Sequence, residues 1–222
     1  MPRWTCDALL FDLDGVLVDS HAVIERHWRR WAVRHGLDVA ALMTRLHGRR
    51  MVDLIRAFAP HLDADAEAAK LAFEEGTDTE GVRAFEGAAE MLRALPAEAW
   101  AVVTSGNRIT ATTRLRHTGL PWPKVLVTAD DVRRGKPAPE PYLTAAARLG
   151  VAPERCLVLE DAPAGIDAAK AAGMTALALT TTHPPEAFPH ADARLARLTD
   201  VRIARAPADA PERLTITLGD DG

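Results

Sequence analysis

The stretch Ala8-Leu9-Leu10-Phe11-Asp12-Leu13-Asp14-Gly15-Val16-Leu17 opens on four apolar residues, then breaks into two carboxylates one residue apart and a glycine. The apolar run is too short for a helix and has no polar alternation. It reads as a strand buried on both faces of a parallel sheet. Outward from it, comparable runs recur at Trp100–Val103, Val125–Val127, 157–159 and 176–179. Helical patterns occupy 87–95, Glu140–Leu149 and 165–172, the last halted by Gly173 at a C-cap position. This alternation predicts an α/β fold, a doubly wound parallel sheet with helices on both faces.

One interval departs from that rhythm. From Ser20 to about Ala84 the pattern is helical and holds no convincing strand. Ser20 is a candidate cap for a helix that places Ile24, Trp28 and Trp31 on one face and ends near Gly36. Further helices are expected at 39–46, Met51–Phe58 and 64–75. The expected organisation is a discontinuous core, 1–18 with 85–222, into which an all-helical domain, 19–84, is inserted. Toward the end, 206–211 reads as a linker, and Leu214, Ile216 and Leu218 alternate with threonines like one late strand. Trp28 and Trp31 are expected to pack inside the helical domain, and Trp4, Trp100 and Trp122 on the core.

The 222 residues are 48% apolar and 26% charged, which suits a packed globular chain. Lys plus Arg is 27 and Asp plus Glu is 31, a formal net charge of −4. Nothing in that balance favours nucleic acid or an anionic membrane as a partner. No apolar stretch approaches the roughly 18 residues that a membrane span needs, and the first residues lack a signal-peptide pattern. Cys6 and Cys156 are expected to be free buried thiols in a reducing compartment. The expected location is therefore cytoplasmic, as a monomer or homodimer.

In open α/β sheets, ligands sit beyond the C-terminal ends of the strands, so the residues following each apolar run carry the functional reading. Asp12 and Asp14 follow the first run, and Thr104, Ser105, Gly106 and Asn107 follow the second. Gly135-Lys136-Pro137 lies between the third and fourth runs, and Glu160-Asp161 ends the fourth. Each piece alone has a bland reading as a turn, a loop or a solvated helix start. Together they bring four carboxylates, a hydroxyl and an ammonium to one sheet edge. The eight histidines form no spaced metal-binding pattern.

These residues and their order resemble the haloacid-dehalogenase-like superfamily over essentially the whole chain to about Leu179, with all four of its motifs present. The helical insertion after the first motif resembles the subclass with a small helical cap. The resemblance implies a phosphatase in which Asp12 is the nucleophile, forming an aspartyl-phosphate. Asp14 is implied as general acid and then base. An ionised carboxylate suits the first role, and a carboxyl raised by neighbouring acids suits the second. Hard oxygen ligands beside a phosphate suit Mg²⁺. The resemblance assigns it to Asp12, Asp161 and the Asp14 carbonyl, with Glu160 either a direct ligand or one shell removed. Lys136 can neutralise Asp12 and a phosphate oxygen. Thr104 and the N–H groups of Ser105 and Gly106 can hold phosphate, and Asn107 can add its amide.

Asp14 disfavours dehalogenases, which lack the second aspartate, and phosphonate hydrolases, which carry alanine there. The β-phosphoglucomutases have a histidine ten residues after that aspartate. Here the position is Ile24, with His21 and His27 out of register. Stretches around His47-Gly48-Arg49-Arg50, Thr104 to Arg108 and Glu160 to Gly165 most resemble sugar-phosphate and glycerol-phosphate phosphatases, with phosphoglycolate phosphatases as the competing assignment. The paired arginines read either as a solvated face or, for Arg49, as a contact to the leaving group from above. A non-catalytic binding protein on the same fold would not need the full set of Asp12, Asp14 and Lys136. The expected partner is a small phosphorylated metabolite.

Overall fold

The computed structural model describes residues 2–205 and 214–219. The segment read as a linker, 206–211, lies outside them. Eleven strands and eight α-helices are present among the described residues: β1 (Arg3–Cys6), β2 (Ala8–Phe11), β3 (Val18–Asp19), α1 (His21–Arg34), α2 (Val39–Met43), α3 (Met51–Phe58), α4 (Ala64–Thr77), β4 (Arg83–Ala84), α5 (Ala88–Ala94), β5 (Trp100–Val103), α6 (Arg108–Thr118), β6 (Val125–Val127), α7 (Glu140–Leu149), β7 (Cys156–Glu160), α8 (Pro163–Ala171), β8 (Thr175–Leu179), β9 (Ala193–Leu195), β10 (Val201–Arg205) and β11 (Leu214–Leu218).

Six strands form a parallel sheet in the order β6-β5-β2-β7-β8-β9. The chain runs outward from β2 through β5 to β6, then returns to the other side of β2 at β7. That reversal opens a crevice at the ends of β2, β5 and β7. Alternate residues of each strand serve opposite faces. Leu9 and Phe11 join Leu92 and Leu115 of α5 and α6 in one core. Ala8 and Leu10 join Tyr142 and Ile166 of α7 and α8 in the other. Each fully buried leucine contributes about 1.5–3 kcal/mol of transfer free energy, which explains why four-residue strands suffice.

Helices α1 to α4 gather around a third apolar cluster built on Trp28, Trp31, Leu42, Ile55 and Leu71. Trp28 and Trp31 meet edge to face at 5.4 Å, a favoured aromatic geometry. The sequence pattern showed no strand here, yet the segment is closed by a two-stranded antiparallel ribbon, Val18 opposite Ala84 and Asp19 opposite Arg83. Two residues per strand are too few to give a period.

The alternating late strand is present as β11. It lies between β1 and β10 in a separate antiparallel sheet that buries Cys6, Val201, Leu214 and Ile216 against the first core. Trp122 corrects an expectation: 53% of it is exposed, with the Arg116 guanidinium 5.9 Å from its ring centroid. Both cysteines are free and buried, and burial pushes each thiol up to about 12.

Candidate active site

Asp12 leaves β2 with its backbone N–H bonded to the Leu159 carbonyl at 3.0 Å, so the neighbouring strand fixes where its side chain begins. Its carboxylate Oδ1 accepts from Lys136 Nζ at 2.6 Å. The same ammonium donates to the Val103 carbonyl at 3.1 Å and to Glu160 Oε1. An ammonium has three donors, and here all three are engaged within the core. Lys136 thus clamps Asp12 and places its positive charge at the edge where a phosphate is expected. The Tyr142 ring adds a cation–π contact at 5.0 Å.

Glu160 is fully enclosed. Oε1 accepts from Lys136 and from the Tyr142 hydroxyl at 3.0 Å, and Oε2 accepts from the backbone N–H groups of Asp161 and Ala162 at 2.9 and 3.0 Å. Four donors thus fix the orientation of this carboxylate. Gly165 makes this possible, since a Cβ there would sit 1.7 Å from Glu160 Oε1. Gly15 does the same for Asp161. It combines φ +86° with a Cβ position 1.9 Å from Asp161 Oδ2, so both its backbone and its missing side chain are required.

Burial and the adjacent carboxylates Glu160 and Asp161 push Asp12 well above the usual carboxylate range, against the pull of Lys136. Burial alone would lower Lys136, but Asp12 and Glu160 hold it above its ordinary value. One ammonium among these acids leaves a local excess of negative charge. Ligand atoms of Asp12, Glu160 and Asp161 lie within 4.8 Å of one another, an all-oxygen set that fits a hard divalent cation. Asp161 Oδ2 takes the Thr182 hydroxyl, and His21 Nε2 lies 3.7 Å away.

Asp14 turns away from this clamp. Oδ1 accepts from Ser20 Oγ at 2.6 Å and Oδ2 from Arg114 Nη1 at 2.6 Å. Ser20 stands at the N-cap of α1 but makes no side-chain capping bond; its hydroxyl is turned toward Asp14. Arg114, from α6, reaches across to Glu75 Oε1 on α4 at 2.5 Å. Burial pushes Glu75 upward while Arg114 pulls it down, the net shift being upward. Desolvation opposes the Arg114 charge, but Asp14 and Glu75 hold it above its ordinary value.

Thr104 Oγ1 accepts from the Gly106 N–H at 3.0 Å, and Ser105 Oγ donates to the Gly48 carbonyl at 3.0 Å. Asn107 caps α6, its Oδ1 accepting from Thr110 N at 2.8 Å. It lines a neighbouring cleft and not the one above Asp12. The neighbouring cleft encloses about 950 Å³ of empty space, and the cleft above Asp12 about 520 Å³, solvent at the mouth included in each. Asp12, Asp14, Asp161, Thr104, Ser105 and Gly106 form its floor, and Ile24, Trp28, Leu46, His47, Arg49, Met51 and Glu75 roof it from the helical segment.

The paired arginines divide the two readings. Arg49 is exposed and lines the cleft. Arg50 is buried, gripped by Asp53 at 2.7 and 2.9 Å, and donates to the Val132 carbonyl at 3.1 Å. Its side chain lies where a Cβ on Gly135 would be, at 2.6 Å. A solvated face is therefore wrong for Arg50, which docks the helices beside the Lys136 loop. Arg114, Glu75, Tyr142 and Thr182 carried no motif signal, since single polar residues within helices and loops usually face water. The rings of His21, His47 and His183 stack edge to face at 5.1 and 5.8 Å along the same boundary. Burial lowers His47 to about 4.

The chain is similar to proteins of known family. Hexitol phosphatase A of Escherichia coli is 41% identical over 207 residues, covering 91% of this chain and 96% of its own. Glycerol-1-phosphate phosphohydrolase 2 of Saccharomyces cerevisiae is 38% identical, covering 79% and 75%. A hydrolase from Pseudomonas syringae of solved structure superposes with a TM-score of 0.74 at 28% identity, covering 87% of this chain and 95% of that one. The family model of the haloacid dehalogenase-like hydrolases matches residues 6–173, a span holding every carboxylate and the ammonium of the clamp, and the chain belongs to that family.

Proposed function

We propose that this protein is a Mg²⁺-dependent phosphatase of small sugar or polyol phosphates, acting through an aspartyl-phosphate on Asp12. The observation that carries this reading is the braced carboxylate. Lys136 and Glu160 fix Asp12 at the strand edge, directly beneath a cleft roofed by the helical segment. The substrate class is supported by relatives whose names specify a hexitol phosphatase and a glycerol-1-phosphate phosphohydrolase. Residues 19–84 act as the cap.

Asp12 attacks phosphorus in line with the ester oxygen, and the P–O bond to the alcohol breaks as the aspartyl-phosphate forms. Asp14 gives its proton to the departing alkoxide, then takes one from the water that cleaves the acyl-phosphate. Lys136 keeps Asp12 aimed. Thr104 and the backbone N–H groups of Ser105 and Gly106 hold the phosphate oxygens. Asp12, Asp161 and the Asp14 carbonyl would hold Mg²⁺, which when bound offsets the charge between carboxylates and phosphate. Ile24 in the roof offers no proton-transfer group where a mutase would need one, which favours release of phosphate over its return.

The test is a phosphate-release screen across sugar, polyol and carboxylate-bearing phosphate esters, with Mg²⁺ and with chelator. Turnover of sugar or polyol phosphates that chelator abolishes and Mg²⁺ restores is expected. Asp12→Asn should lower it by at least about 10³-fold without unfolding the protein. Retained turnover in that variant would remove Asp12 as nucleophile.

A further inference from the structure

Glu75 stands where local rules disfavour it. It lies in the last turn of α4, where the helix dipole opposes a carboxylate and no basic side chain accompanies it. It is only 3% exposed. Arg114 satisfies Oε1, but Oε2 has no hydrogen-bond partner among the described residues. A buried acceptor left unmatched is unfavourable and calls for an explanation. Thr110 Oγ1 is similarly unpartnered, but Thr110 does not line the cleft and Glu75 does.

Resting on the phosphatase reading above, we infer that Glu75 determines specificity by accepting, at Oε2, a hydrogen bond from a hydroxyl on the alcohol portion of the substrate. The Arg114 guanidinium ties Glu75 to Asp14, so the acceptor stands one side chain away from the group that meets the ester oxygen. The same roof carries the apolar side chains of Ile24, Trp28, Leu46 and Met51 beside His47 and Arg49. A polyhydroxylated carbon chain matches both surfaces, its C–H face against those apolar side chains and one hydroxyl on the carboxylate. A purely structural Glu75, serving only as counter-ion to Arg114, would affect all substrates alike.

The experiment compares kcat/KM for a hexitol monophosphate, its singly deoxygenated analogues and phenyl phosphate, in the wild-type enzyme and in Glu75→Leu. In the wild type, removal of one particular hydroxyl should lower kcat/KM by about 10- to 100-fold, the range of a hydrogen bond to a charged group. In Glu75→Leu the same removal should change it less than about threefold. Whatever the variant loses through Arg114 is common to every substrate and cancels in that ratio. Should Glu75→Leu melt below the assay temperature, Glu75→Gln keeps an oxygen for Arg114, and the penalty should still shrink by at least about threefold. Equal deoxy penalties in wild type and variant, or no position costing the wild type more than about threefold, overturn the proposal alone. An enzyme that hydrolyses no hydroxylated ester overturns it together with the phosphatase reading beneath it.

Discussion

Two buried cations anchor the cleft, and they are built differently. Lys136 draws all three of its acceptors, Asp12, Val103 and Glu160, from the sheet and its edge loops. Arg114 takes one carboxylate from the loop after β2 and the other from a helix of the inserted segment. Both are nearly inaccessible. The first closes a network inside one rigid body, so Asp12 keeps its aim whatever the helices do. The second spans two bodies, so the surroundings of Asp14 depend on where the helices sit. On the proposed mechanism, the geometry of Asp12 is independent of the helices, whereas that of Asp14 follows them.

Removing Lys136 should have the largest effect. Lys136→Met leaves Asp12 and Glu160 buried without a counter-charge, and a loss of about 3–5 kcal/mol is expected by chemical denaturation, with phosphate release lost as well. If the variant keeps wild-type stability, the clamp is not what holds this edge together. Arg114→Met should come next: it leaves Glu75 buried without its counter-charge, but Asp14 is partly solvated and keeps Ser20, so it strands one carboxylate fewer than Lys136→Met. Its signature is a drop in kcat that exceeds any change in KM. Equal behaviour of the two variants would erase the distinction drawn above.

Gly135→Ala sharpens the comparison from the opposite side. The new methyl must displace the Arg50 side chain, weakening docking of the helices while leaving the three Lys136 contacts in place. A rise in KM of about three- to tenfold with near-normal thermal stability is expected. The smallest effect is with pH. His47 titrates at about 4 in the fold against 6.5 when exposed, so the unfolded chain binds more protons between these values. Stability is full above about pH 6.5 and declines as pH falls toward 4, by about 1–2 kcal/mol at pH 5. Thermal melts should show that slope in the wild type and a shallower one in His47→Gln.

Legibility in the sequence follows the same division. Runs such as Ala8–Phe11 and Trp100–Val103 coincide with their strands because a strand buried on both faces has to be apolar throughout. The acids and lysine that follow them were readable because sheet topology fixes where strand ends go. The ribbon β3–β4 and the short β9 were not, since two or three residues give no period. Arg50 was readable only as half of a solvated pair, and Arg114 and Glu75 were invisible, for another reason. Each lies within or at the start of a helix, where a charge ordinarily faces water, and only the docking of one body on another buries it. Contacts between bodies leave no local pattern.

The ribbon has a consequence for how such a protein can change. Val18 lies opposite Ala84, so an excursion of more than sixty residues begins and ends on adjacent strands, about 5 Å apart. To the sheet, the helical segment is no more than a hairpin turn. Its length and helix count can be rewritten without shifting β2 or the Lys136 contacts to Asp12, Val103 and Glu160, none of which comes from the segment. Joined to the sheet covalently at a ribbon two residues long, the segment meets the core again through Glu75 on Arg114 and Arg50 on the Val132 carbonyl, and those contacts are what a rewritten segment has to keep.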